Sequence, residues 1–582
     1  MKTIIKLLLI VLAVLAVALA VFWRWFTHPA SRDKVTIAMP SNIQWLDTGL
    51  NDEDRVIWHH LSEGSELVPM SVLEALKSPR TGKPFLYSLA DYGFLIESQD
   101  PHKLAVGWST EVREFGGRKV PFVGINCSAC HTGELRFQGH ALRIDGAPNL
   151  FALEQFFVDL RSAIDAVHTN RSAGFMFIRD VIRLNHDAQS EGEFMEVSPQ
   201  ALAFLASVDE ADGLDQAELR TQQIVTSALS QGATNSTQPA PELAGSAPAR
   251  SDATRESCLK EVAAAVFRGA QFIERRLQVL ATLSKAIDSG VDLGPGRGDS
   301  FGIIRELVFP FDGITLDAPV STPHLFNFNS FKWLHWDGNT TSVLQRNVAQ
   351  AIALGADYDP ATLKSTVLPY NLNRLEMVGR KIKPPAWPEQ ILGAIDRTKA
   401  NRGKVLFTEA RCAECHTAEK VYSLAEVGTS PVRATNFAVP LAGRPFPDQL
   451  ANFAANTQSV LFQQHGVTPE KASELEPGTP VWRATKGYIA RSLAGVWATS
   501  PFLHNGSIPT LYDLLQPAAK RPAKFLVGNR EYDPKKLGYV SSEGGEFTLD
   551  TTLQGNSNQG HEFGATLTDD QRWSLLEYIK TL

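Results

Sequence analysis

One spacing of cysteine and histidine occurs twice in this chain: Cys127-Ser-Ala-Cys130-His131 and Cys412-Ala-Glu-Cys415-His416. Two cysteines three apart sit on one helical turn, where they can form thioethers to the two vinyl groups of one porphyrin. The histidine that follows is then placed to bind the iron. The sequence therefore predicts a fold built around two covalent c-type haems, with Cys127, Cys130, Cys412 and Cys415 as attachment points and His131 and His416 as iron ligands. Only five cysteines and fourteen histidines occur in 582 residues, so chance accounts poorly for two copies. A four-cysteine zinc site would need both pairs to share one metal and would not require a histidine after each. The fifth cysteine, Cys258, has no assigned role.

An apolar run from Leu7 to Trp23 follows Met-Lys-Thr-Ile-Ile-Lys and precedes Arg24-Trp25-Phe26. A membrane anchor is expected there (residues 1–33), in preference to a signal peptide cleaved after Ala18-Leu19-Ala20. Either reading sends the body to the periplasmic face of a bacterial inner membrane, the side where c-type haem is attached. The net charge of −7 and the lack of a basic block oppose nucleic acid binding.

The expected fold class is mainly α: two cytochrome c-like haem domains with long irregular extensions. The first domain spans 34–394 and includes a helix over Asn149–Ile164. It also carries a polar, low-complexity insertion at about 228–255, followed by a helical run from Glu256 to Asp288. The second domain spans 395–582. A short amphipathic helix at Asn401–Phe407 precedes its haem motif. Its last helix follows Thr568, a good N-cap, with Trp573, Leu576 and Ile579 on one face.

The second ligand on each iron separates electron carriage from chemistry, because two strong ligands block the iron and one leaves it open. No methionine lies beyond Met377. The second haem must therefore draw on His465, His504, His561 or a tyrosine. His561, in a glycine-flanked loop before the last helix, is favoured over His504. For the first haem, His140 is too near His131 in sequence to fold over the opposite face. Met176, His168 and His186 remain candidates, and a five-coordinate or weakly capped iron is expected.

Thr322-Pro-His-Leu-Phe-Asn-Phe-Asn-Ser-Phe-Lys-Trp-Leu-His-Trp-Asp-Gly338 lies between the two motifs, and Ser500-Pro-Phe-Leu-His-Asn-Gly-Ser-Ile-Pro-Thr-Leu511 follows the second. This order resembles the bacterial di-haem cytochrome c peroxidase superfamily. Trp58–Met70, Arg143–Pro148 and Gly560–Gly564 are most similar to its di-haem rubber oxygenase-like subgroup. The resemblance implies a catalytic first haem, a second haem that relays electrons, and Trp336 mediating between them. It also implies a possible calcium near Thr499–Pro501. The peroxidases place an acid-base glutamate shortly after the Trp-Asp-Gly segment, where this chain has Gln345 or Arg346 and no acid from Asn339 to Ala356. Glutamine cannot shuttle a proton. That departure favours an oxygenase with an aromatic wall drawn from Phe326, Phe328 and Phe331. Trp336, Gln345 and Phe328 are the candidate catalytic residues. The implied partners are a periplasmic electron donor or acceptor and a small oxidant, dioxygen or peroxide. The alternatives are a peroxidase reducing hydrogen peroxide and a non-enzymatic, membrane-anchored electron carrier.

Overall fold

The computed structural model describes residues 37–184 and 291–582, except for 38, 100–102, 116–117, scattered positions between 171 and 183, 310–316 and 417–419. The expected anchor at 7–23, the insertion at about 228–255, the run Glu256–Asp288, Cys258 and His186 lie outside the described residues.

The expectation of a mainly α chain is corrected: helices and sheets share the fold. Strand β1 (Asn42–Trp45) runs parallel to β6 (His140–Asp145), which pairs antiparallel with β5 (Thr132–Phe137). A second sheet has the order β2 (Glu66–Pro69), β4 (Arg118–Ile125), β3 (Trp108–Phe115). The physical reason is local. Arg118-Lys-Val-Pro-Phe-Val-Gly-Ile is rich in β-branched and aromatic residues, and β3 contributes Trp108, Thr110, Val112 and Phe115. Between β5 and β6, Gln138 (φ 48°) and Gly139 (φ 81°) make the two left-handed residues of a tight hairpin. No helix among the described residues is long and apolar enough to cross a membrane.

Eight helices position the functional groups: α1 (Asp52–His60), α2 (Leu153–Thr169), α3 (Ser300–Val308), α4 (Val343–Leu354), α5 (Pro369–Gly379), α6 (Arg397–Glu409), α7 (Phe446–Gln464) and α8 (Asp569–Ile579). Helix α8 begins in a capping box. Thr568 accepts from the Gln571 N–H, and the Gln571 side chain accepts from the Thr568 N–H. Such a cap contributes about 1 kcal/mol. Helices α6 and α8 cross at Gly403, where a Cβ would sit 2.0 Å from the Ser574 carbonyl oxygen. Only glycine permits that approach. Phe407 and Tyr578 pack edge-to-face at 5.3 Å beside it.

Three apolar cores support these elements. One gathers Phe94, Trp108, Phe151 and Phe156 between β3, β4 and α2. A second joins Leu142 and Ile144 of β6 to Leu575, Leu576 and Ile579 of α8, so the N-terminal sheet and the C-terminal helix share one interior. The third packs α3, α4 and α7 through Phe301, Val348, Phe446 and Leu450.

Candidate functional site

Each haem motif opens onto its own cavity. The second motif forms a short helix, Cys412–His416, directly after α6. Its cavity has a volume of about 770 Å³, within the roughly 300–1,000 Å³ usual for cofactor sites. Phe407 of α6 and Leu575 and Ile579 of α8 wall it, so the Gly403 crossing sets its width. His416 Nδ1–H donates to the Arg491 carbonyl at 2.6 Å. That bond fixes the tautomer and leaves Nε2 as the ligand atom. Burial lowers the His416 pKa and so keeps the ring neutral.

His561 faces His416 with ring centroids 6.2 Å apart and planes at 65°. A metal bonded to both rings at about 2 Å per nitrogen would hold the centroids roughly 6 Å apart. His561 Nδ1 has no hydrogen-bond partner. Burial, together with the nearby His416, pushes its pKa down to about 4. The loop carrying it is held by backbone. Gly560 (φ 79°) and His561 (φ 49°) are left-handed, and a Cβ on Gly560 would lie 2.2 Å from Gly428. Arg521 donates to the carbonyls of Asn558 (2.6 Å), Gly560 (2.7 Å) and His561 (3.2 Å). His504 lines the same cavity but stacks on Tyr488 at 4.1 Å. Burial brings its pKa to about 3. Thr499 and Pro501 also line this cavity.

The first motif lies in the link between β4 and β5. Asn126 caps its turn, accepting from the Ser128 N–H at 3.0 Å and donating to the Trp58 and Leu61 carbonyls. Cys127 is buried and its thiol donates to Glu63 at 3.2 Å. Burial raises the Glu63 carboxyl to about 7 and the Cys130 thiol to about 11. Burial, with the Arg346 charge nearby, lowers His131 to about 3, and its Nδ1 is unpaired. His131 shares a narrow cavity of about 70 Å³ with Phe328, Phe331, His335, Arg346 and Asn347. The donor set suits a c-type haem. A porphyrin needs more room than this slot, so the lining side chains must move apart to admit one.

A septum separates the two cavities. His335 faces the first and its neighbour Trp336 faces the second, while His324 and Arg491 reach both. The Trp336 indole N–H donates to the Ser321 carbonyl at 2.8 Å. Phe328 lines the first cavity, edge-to-face with Phe331 at 5.7 Å. Phe326 packs on His324. Gln345 is turned elsewhere: its amide donates to Gln458 and accepts from the Trp482 indole, both at 2.8 Å. The next residue, Arg346, takes the cavity position. Glu63, His335, His324 and Arg491 were not singled out by sequence. His335 stood beside Trp336, and its pairing with Asn339 across four residues was the available signal.

One other group of metal-type side chains clusters among the described residues. His59 bridges Glu97 (3.0 Å) and Asp145 (2.8 Å), and His60 contacts Glu97 at 2.8 Å. These donors satisfy one another.

A family model described as RoxA-like, cytochrome c-like matches residues 487–526, the segment carrying Tyr488, His504 and Arg521. Uncharacterized protein y4iJ of Sinorhizobium fredii (strain NBRC 101917 / NGR234) is 27% identical over 629 aligned positions, covering 93% of each chain. Uncharacterized protein y4iM of the same organism is 31% identical over 303 positions, covering 47% of this chain and 65% of its own. Together with the donor geometry, the family match supports a cytochrome c-related protein, a haem oxidoreductase that carries iron in a c-type haem.

Proposed function

We propose that this chain is a di-haem oxidoreductase in which the His131 site activates a small oxygen-based oxidant and the His416 site relays electrons to it from a periplasmic donor. When bound, the haems supply one-electron redox chemistry and, at the first site, an open iron position. The observation carrying this reading is the unequal provision of second ligands. At the second site His561 stands opposite His416 at iron-spanning distance, on a loop that Arg521 pins. At the first site an imidazole that shares the cavity, His335, is hydrogen-bonded to Asn339 and Arg346 instead.

The remaining residues suit these roles. The Arg491 carbonyl orients His416, which makes its ring a stronger ligand. Trp336 lines the second cavity and its neighbour His335 the first, so the pair spans the septum. Phe328 and Phe331 exclude water on one side of the first cavity, a feature that favours an apolar co-substrate and keeps the oxygenase reading in view. His335, Arg346 and Asn347 line the same cavity and favour peroxide. The test is the haem content and ferric spin state of the purified protein. Two haems per chain are expected, one low-spin and one high-spin. Two low-spin haems would leave an electron carrier and defeat the proposal.

A further inference from the structure

The last turn of α1 carries His59 and His60, and both rings meet Glu97 in the segment that leads to β3. These three side chains line neither haem cavity. The hydrogen bonds behind the rings decide which nitrogens face Glu97. The Trp108 carbonyl, which only accepts, lies 2.9 Å from His60 Nδ1. That nitrogen therefore carries the proton, and the Nε2 lone pair faces Glu97 Oε2 at 2.8 Å. Asp145 is buried, accepts from the Arg55 guanidinium at 3.0 Å and lies 2.8 Å from His59 Nε2. His59 Nε2–H donates to it, and the Nδ1 lone pair faces Glu97 Oε1 at 3.0 Å. Two lone pairs thus point at the two oxygens of one carboxylate. Protons close both contacts in metal-free protein. One divalent ion carries the charge of those two protons and can replace both.

We propose that His59 Nδ1, His60 Nε2 and Glu97 bind one divalent transition-metal ion of the zinc class, at a site separate from both haem positions. A carboxylate behind one imidazole and a backbone carbonyl behind the other is the outer arrangement that metal-binding histidines use. The three donors lie within 4.8 Å of one another. Ligand atoms at about 2.0–2.2 Å from a tetrahedral ion stand roughly 3.3 Å apart. The two contacts, at 3.0 and 2.8 Å, need to open by only about 0.3–0.5 Å. Asp145 and the Trp108 carbonyl, which set the tautomers, stay in place. The His59 side chain is 3% exposed, whereas those of His60 and Glu97 are 32% and 27% exposed. The ion therefore has a route from solvent, and water can complete its shell. Two imidazoles with one carboxylate suit zinc and its transition-metal neighbours, while calcium and magnesium take oxygen ligands. The ion would clamp the end of α1 to the segment around Glu97. Through Asp145 it would also brace the pairing of β6 with Thr132, the residue after His131.

The test uses full-length, untagged, haem-loaded protein stripped with EDTA, which leaves covalent haem in place, and the variants Glu97→Gln and His60→Ala. Zinc chloride is titrated by calorimetry, bound zinc is counted by elemental analysis, and the zinc-edge X-ray absorption of the loaded wild type is recorded. One zinc should bind per chain with a Kd of about 1 µM or tighter, and the melting temperature should rise with it. The absorption spectrum should show two imidazoles and oxygen ligands at about 2.0–2.1 Å. Each variant should bind zinc about 10²-fold more weakly and lose the thermal shift, because changes behind the ligands alone cost about 10- to 100-fold. Absence of binding at about 100 µM zinc would overturn the proposal. Zinc affinity within roughly threefold of wild type in either variant would also overturn it, by placing the ion elsewhere. So would a sulfur ligand or fewer than two imidazoles at the zinc edge, a reading that needs no variant.

Discussion

Gly403→Ala tests the packing on which the second cavity depends. The added Cβ would lie 2.0 Å from the Ser574 carbonyl oxygen, 2.7 Å from its carbon and 2.8 Å from Tyr578 Cβ. The nearest contact falls about 1.4 Å short of the ordinary 3.4 Å separation. The obstacle is backbone of α8, which no rotamer change can move aside. The helices must part, and the Phe407–Tyr578 contact and the Arg402–Asp570 ion pair open with them. Overpacking of this kind costs about 1–3 kcal/mol, with larger values where backbone must shift. The gain in helix propensity from Gly to Ala returns about 1 kcal/mol. Because the α8 backbone itself must shift, the cost lies at the upper end, about 3 kcal/mol, and the net expectation is a loss of about 2 kcal/mol, seen as a lower urea midpoint with unchanged slope. Because Phe407, Leu575 and Ile579 wall the cavity, the second haem's spectrum should broaden as well. If Gly403→Ala were as stable as wild type or more so, α6 and α8 would not touch at this position.

The other perturbations address single groups. His561→Ala should turn the second haem from low- to high-spin while leaving the loop in place, because Arg521 and Val427 hold its backbone. An unchanged spectrum would move the ligand to His504. The His59 cluster should give a stability maximum in pH. Burial opposes charge on His59, but Asp145 and Glu97 raise its pKa above 6.5, so its contribution is full below that value and fades as pH rises through the raised one. Glu97 is held below 4.5 by His59 and His60 against burial, so its contribution is lost as pH falls below 4.5. The melting temperature should peak between about pH 5 and 6.5, and His59→Gln should flatten that peak. Parallel profiles for the two proteins would refute it.

Parts of this architecture were legible because their signals are local. Thr568 and Gln571 announce the start of α8, and the spacing of Cys412, Cys415 and His416 announces a helical turn. The sheets were missed for a different reason. The strands flanking the first motif are marked only by the Val, Phe and Ile of Arg118–Ile125 and by the Gln138-Gly139 turn, signals weaker than a haem motif that implies a helical turn. Helix α4 shows the limit at the level of one residue. Neighbouring side chains on a helix point about 100° apart, so choosing between Gln345 and Arg346 requires knowing which face packs on α7. Glu63 meets Cys127 across 64 residues, and no local pattern encodes such a contact. His335 was readable in principle, since a histidine and an asparagine four apart can pair.

Carbon monoxide titration of the dithionite-reduced protein tests the central claim most directly. One equivalent should bind per chain at the His131 haem, and His561→Ala should bind a second. Binding of none, or of two equivalents by the wild-type protein, would contradict the division of labour between an open first site and a bis-histidine relay.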